Sequence, residues 1–441
     1  MKILIVSFID DNFGDNLIKI CFEALLKVAL ENHGIKEYEI TQMSLKKIDR
    51  DLVKDSDFIF FAGGGLFGLS YLNFFDYINE IALIAEEGEI PVIFSSLGIN
   101  NMDATEDAEQ LLKNILKKKC IKAISVRENF ELFQEYSKDC SFEIESACDP
   151  AVWTKYVYGM ENASRENVVG INVVRGGLFK DNKKNWRLTD ELNYLYELKS
   201  LLDESGIEYT FYTNGSLLDN NTLRYFARKY SIPASRIDYV QTTRELVEAV
   251  SRFNAIAAFR MHTSIIAYSF NIPSIAMIWN DKIPFFYQQI GHPDRALEPE
   301  VWSGEMVFER LQAIRNDTDF NEDKYKEYLM SLYVYLYRTI SKHILGESQT
   351  SSHSMFTFEE VARQLVKKSV TIDEDEHDLR FKLDKAERQY LNRFVQLRKK
   401  DKELQALKAE ISSLKKKDEE LDRLNNLLAI RFFRRLKRPF G

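Results

Sequence analysis

Short apolar runs alternate with amphipathic stretches through most of this 441-residue chain, and that alternation limits its fold more than any other feature. Apolar runs of this length, separated by segments of helical period, read as strands of a parallel sheet joined by crossover helices. In the first half the strands are expected at 2–8, 38–43, 58–62, 92–96 and 123–126. Helices are expected at 15–32, 71–87, 107–118 and 129–136. Asp149-Pro150-Ala151 closes this series, because proline cannot donate to a central ladder. A second series opens with a strand at 168–174, then a helix at 189–204, a strand at 209–212 and helices at 217–230 and 244–252. It continues with a strand at 255–259, a helix at 263–270 and a strand at 273–279, and helical patterns follow to about residue 343. The expected architecture is α/β, with two Rossmann-like domains, 1–155 and 165–347, facing across a cleft.

A polar break at 348–354 opens a linker with a short helix, to residue 377. From 378 to 441 the chain is charged and helical, with no proline before Pro439. Leu404, Leu407, Ile411, Leu414, Leu421 and Leu428 follow three- and four-residue steps, with Asp418 and Asn425 in the same seam. That is a coiled-coil pattern, and polar seam residues can set register and oligomer state, so a homo-oligomer is expected.

The net charge of −8 is unevenly spread. Up to Asp422 there are 54 cations against 68 acids, or −14; the last nineteen residues carry six cations and no acid. An acidic body argues against a nucleic-acid binder. The basic end mixes cations with Phe432, Phe433 and Phe440, a composition suited to docking residues 430–441 on an anionic membrane surface. A coiled-coil end packed against a partner helix and a disordered tail are the other readings of that end. The four cysteines lack metal or redox spacing, no two histidines are spaced as metal ligands, and no apolar run reaches membrane-spanning length. A cytoplasmic protein without a bound metal is expected, attached at most peripherally to the membrane's inner face.

Arg260-Met261-His262 joins an apolar run to a helical stretch. A helix N-terminus offers unpaired N–H groups and a positive dipole end. An arginine adds a fork for carboxylate or phosphate, and a histidine adds a proton carrier. Other loops follow other strands. Asn12-Phe13-Gly14-Asp15-Asn16 reads as a turn and cap, with Asp15 or Asn16 capping, or as part of a ligand crevice. Gly63-Gly64-Gly65 reads equally as a tight turn or as room for a ligand. Arg127, Asp149 and Lys282 stand at comparable loop positions, where a local ion pair or a surface cation is the plain alternative.

Taken in order, these segments resemble the polysaccharide pyruvyl transferase family. The matching pieces are residues 12–16, Gly63-Gly64-Gly65-Leu66-Phe67-Gly68, Ser95-Ser96-Leu97-Gly98-Ile99, Ser125-Val126-Arg127-Glu128, Asp149-Pro150-Ala151, Arg260-Met261-His262 and Lys282, over roughly residues 1–300. The resemblance implies a fold similar to GT-B glycosyltransferases. It implies transfer of pyruvate from phosphoenolpyruvate, as co-substrate, to a sugar of a cell-surface polysaccharide precursor, with no cofactor. It implies that His262 and Arg260 are catalytic and that Arg127, Arg260, Met261, His262 and Lys282 hold phosphoenolpyruvate. Asn12, Gly14, Asp15, Asn16, Gly63, Gly64, Gly65 and Asp149 would then line the acceptor side, the acceptor being a glycan on a lipid carrier. Arg175, in Arg175-Gly176-Gly177, competes with Arg127 as the second donor-site cation. A nucleotide-sugar glycosyltransferase and a non-catalytic coiled-coil assembly subunit are the alternative readings.

Overall fold

In a computed structural model the chain divides into two units, residues 1–374 and 375–441. The described residues are 1–8, 12–68, 72–100, 105–142, 144–176, 178–181, 184–315, 317, 320–346, 354–369 and 417. The expected coiled coil and basic tail therefore lie outside the described residues, apart from Lys417.

The first sheet contains β1 (Lys2–Ser7), β2 (Glu39–Ser44), β3 (Phe58–Phe61), β4 (Gly64–Gly68), β5 (Val92–Asn100), β6 (Ile121–Val126) and β7 (Ile144–Ser146). Their order is β2-β1-β3-β5-β6-β7, with β4 added beside β5, and every pairing is parallel. Alternation along β1 sends Ile3 and Ile5 into one apolar cluster and Leu4 and Val6 into the other, so both faces of the sheet are covered. The second sheet contains β8 (Val168–Asn172), β9 (Glu208–Tyr212), β10 (Ile237–Asp238), β11 (Ala255–Ala258), β12 (Ser274–Met277) and β13 (Ala296–Leu297). Its order is β10-β9-β8-β11-β12-β13, again all parallel.

The expected alternation is present, and four strands add to it: β4, β7, β10 and β13. Gly64–Gly68 is a strand rather than a loop, pairing Gly64 with Leu97 and Phe67 with Ile99. The chain leaves β3 through Gly63 and Gly64, both at positive φ (96° and 88°), and so can re-enter beside the far half of β5. Strand β7 has no apolar alternation to announce it; it is short and half-exposed at the sheet edge.

Helix Phe13–Asn32 lies between the two halves. It packs on the 3-10 turn Pro150–Trp153 and on helices Thr243–Ser251, Met261–Ser269 and Glu322–Thr339. Thirteen of its twenty residues are buried, a wider apolar face than a surface helix shows. Helix Glu322–Thr339 also reaches back to the first sheet, where the Tyr335 hydroxyl donates to the Phe94 carbonyl at 2.8 Å. Among the described residues no helix is long and apolar enough to cross a membrane.

Candidate functional site

Two helix N-termini, one from each half, meet at the C-terminal edges of the sheets. On the first, Asn12 rather than Asp15 or Asn16 is the cap: its side chain accepts from the Gly14 N–H at 3.2 Å and donates to Asp15 at 3.0 Å. On the second, Arg260 stands at the cap position and His262 lies in the first turn. The Arg260 N–H donates to the Asn172 side chain at 3.0 Å. The halves touch directly, since the Phe13 N–H donates to the Asn214 carbonyl at 3.0 Å.

His262 sits between two carboxylates, Asp15 in the first turn of helix Phe13–Asn32 and Asp149 at the cap of the turn Pro150–Trp153. Its Nδ1 is 3.8 Å from Asp15 and its Nε2 is 3.8 Å from Asp149. Both distances exceed a hydrogen bond, so the two carboxylates act on the ring by charge rather than by direct bonding. Asp149 also caps the turn that follows it, accepting from the Ala151 N–H at 2.9 Å. Burial would raise its carboxyl, but the Arg127 guanidinium and His262 outweigh that and hold it down at about 2.

Arg127 is 3% exposed and bonds to both Asp149 and Glu128, the latter at 2.8 Å. A side chain at position 98 would stand 3.0 Å from the Glu128 carboxyl carbon and 3.1 Å from the Arg127 guanidinium, so Gly98 makes room for this pair. Burial raises the Glu128 carboxyl, opposed by Arg127 and Lys282. Lys282 begins helix Lys282–Gln289, with its ammonium 5.1 Å from the centre of the Trp279 ring. Burial, then Arg127 and Arg260, lower that ammonium, while Glu128 and Asp15 oppose the shift. Lys282 is therefore in electrostatic reach of both Arg127 and Arg260.

The Arg260 guanidinium lies against Asp219, with Nε at 3.0 Å and Nη2 at 2.8 Å from the two carboxylate oxygens. Asp219 also accepts the Arg175 backbone N–H at 2.8 Å, so the structure brings Arg175 to this cluster through its main chain. Met261 is buried. Gly63 packs on the Ser95 and Ser96 carbonyls and Gly64 beside Ile18, so these two serve the chain's re-entry into the sheet; Gly65 is exposed with open space around it. Asp219 and the nearby buried Glu191 were not legible from sequence, because each sits in an ordinary amphipathic helix and acquires its buried surroundings only through the fold. Among the described residues no group of three His, Cys, Asp or Glu side chains could hold a metal ion.

Two parallel α/β sheets whose C-terminal edges bring His262 together with arginine–carboxylate pairs define an α/β protein with a polar site at the strand ends. This chain belongs to the polysaccharide pyruvyl transferase family, whose model matches residues 12–281; it is a transferase of polysaccharide biosynthesis. Comparison with curated proteins gives no match. Among solved structures, a putative UDP-N-acetylglucosamine 2-epimerase from Listeria monocytogenes is similar at a TM-score of 0.51 and 11% identity, covering 81% of this chain and 99% of that one. A UDP-GlcNAc 2-epimerase from Methanocaldococcus jannaschii gives 0.48 and 12%, covering 77% and 99%. At such identity the likeness is one of fold, of the GT-B-like kind.

Proposed function

We propose that this protein transfers pyruvate from phosphoenolpyruvate to a sugar of a cell-surface polysaccharide precursor, forming a cyclic ketal and releasing phosphate. The observation that carries the reading is the placement of His262 between Asp15 and Asp149, with Arg127, Arg260 and Lys282 around it. The donor bears a carboxylate and a phosphate, which in this reading engage Lys282 and compete with Glu128, Asp149 and Asp219 for the N–H donors of Arg127 and Arg260. In the reaction the donor methylene takes up one proton, and two sugar oxygens form bonds to the central carbon. The bond from that carbon to the bridging phosphate oxygen breaks. Of the two hydroxyl protons released, one balances the methyl group and the other leaves with phosphate. His262 accepts a hydroxyl proton and supplies one to the methylene, with Asp15 and Asp149 stabilising the imidazolium between the two steps. No redox cofactor enters this balance.

The acceptor in this reading is carried on a lipid, and residues 430–441 bring the enzyme to the anionic inner face of the membrane. The coiled coil would join copies of the chain. A ligand that binds only the folded state raises the melting temperature, so thermal melts test the donor. Phosphoenolpyruvate should raise it and UDP-sugars should not; the reverse result would favour a nucleotide-sugar glycosyltransferase.

A further inference from the structure

We infer that Asp219 is a positioning residue for donor binding, acting through Arg260; this rests on the proposed pyruvyl-transfer reading. Asp219 is fully buried, at 0% exposure, although it carries a carboxylate. It engages two loops at once. One follows β8 and gives the Arg175 N–H at 2.8 Å. The other follows β11 and gives the Nε–Nη2 edge of Arg260 at 3.0 and 2.8 Å. Those strands are neighbours, paired through Ala255 with Val169 and Ala257 with Ile171, so Asp219 ties together adjacent loops at the sheet edge. One turn further along the same helix, Thr222 accepts the Gly176 N–H at 3.0 Å and extends the tie.

The consequence for Arg260 is orientational. A guanidinium is a rigid plane with five N–H donors, so fixing one edge by two bonds fixes the direction of every other donor. Arg260 immediately precedes the turn that carries His262, and its charge is felt at Lys282. A rotated guanidinium would remain a cation near the donor site but would no longer present its donors at a set angle. Asp219 therefore governs how well phosphoenolpyruvate is held, and acceptor binding is left to other residues.

The test is steady-state kinetics of the full chain with phosphoenolpyruvate and a glycan acceptor. Asp219→Asn should raise the donor KM about tenfold or more and leave the acceptor KM within about twofold. Because that variant removes the carboxylate paired with the partly buried Arg260, a neutral pair supplies the second arm. Arg260→Gln and the double variant Arg260→Gln with Asp219→Asn are compared. If Asp219 acts through Arg260, the double variant matches Arg260→Gln in donor KM. An unchanged donor KM in folded Asp219→Asn, or a further several-fold rise in the double variant, would overturn the inference while leaving pyruvyl transfer intact. Absence of phosphoenolpyruvate turnover by the wild-type protein would overturn the functional reading itself, and this inference with it.

Discussion

Gly14 and His262 claim the same space: a Cβ at position 14 would stand 2.5 Å from the His262 Cβ and 2.6 Å from its Cγ and Nδ1. The contact is with the root of the imidazole and not with a movable tip. Gly14→Ala should therefore push the ring away from Asp15 and Asp149, and overpacking of this kind costs about 1–3 kcal/mol. Transfer activity should fall at least tenfold, with a lowered melting temperature. Rates of phosphate release together with thermal melts check both; unchanged activity would mean that ring position does not matter.

Asp149 joins Arg127 to His262. Asp149→Asn removes one of the two carboxylates on buried Arg127, and a hydrogen bond to a charged group of this kind contributes about 1.5–3 kcal/mol. Its carboxyl is held at about 2 against an ordinary 3.8. The stability it contributes is therefore present above pH 3.8 and lost as pH falls through about 2. Urea titrations at neutral pH should show the full loss in Asp149→Asn, and titrations near pH 2 a much smaller difference from wild type.

Glu191 gives the opposite pH dependence. Burial first, then the nearby Asp219, raises its carboxyl to about 8 from an ordinary 4.5, while Arg260 and the Val174 backbone oppose the shift. A raised carboxyl contributes stability that is complete below pH 4.5 and lost as pH rises through about 8. Within that window one such group changes stability by about 1.4 kcal/mol per pH unit. Glu191→Gln should remove this slope, so urea midpoints from pH 5 to 9 should diverge from wild type toward the alkaline end. Parallel curves would contradict the assignment.

Membrane docking is tested apart from catalysis. Full-length protein should bind anionic vesicles, release them in high salt, and lose binding when residues 430–441 are deleted. Sedimentation with vesicles measures this; equal binding by the truncated protein would exclude that segment.

The alternation of apolar runs carried both sheets, and helix 217–230 appeared at its expected bounds. Arg260 and His262 could be read because a strand, a cation and a helix start are contiguous. The re-entry at Gly64 could not, since it depends on a gap beside β5 that only the folded sheet supplies. Nor could the distant partners of the two arginines, although the ion pair of Arg127 with adjacent Glu128 is the local one the sequence offers. Arg127 finds Asp149 twenty-two residues away, and Arg260 finds Asp219 forty-one residues away, each on a different element. Local pattern names the cations; long-range packing decides what holds them. Arg127 and Arg175 show the same dependence on the fold, since the Arg127 guanidinium is buried against Asp149 and the Arg175 backbone N–H donates to Asp219.

The most direct measurement of the central claim follows labelled phosphoenolpyruvate into a glycan acceptor with wild-type protein, His262→Ala and His262→Gln. Wild type should release one phosphate for each pyruvate ketal formed. Both variants should lose at least about a hundredfold in rate, consistent with removal of a general acid–base group, while melting like wild type. Transfer by either folded variant at near wild-type rate, or wild-type protein that leaves phosphoenolpyruvate untouched, would contradict the account.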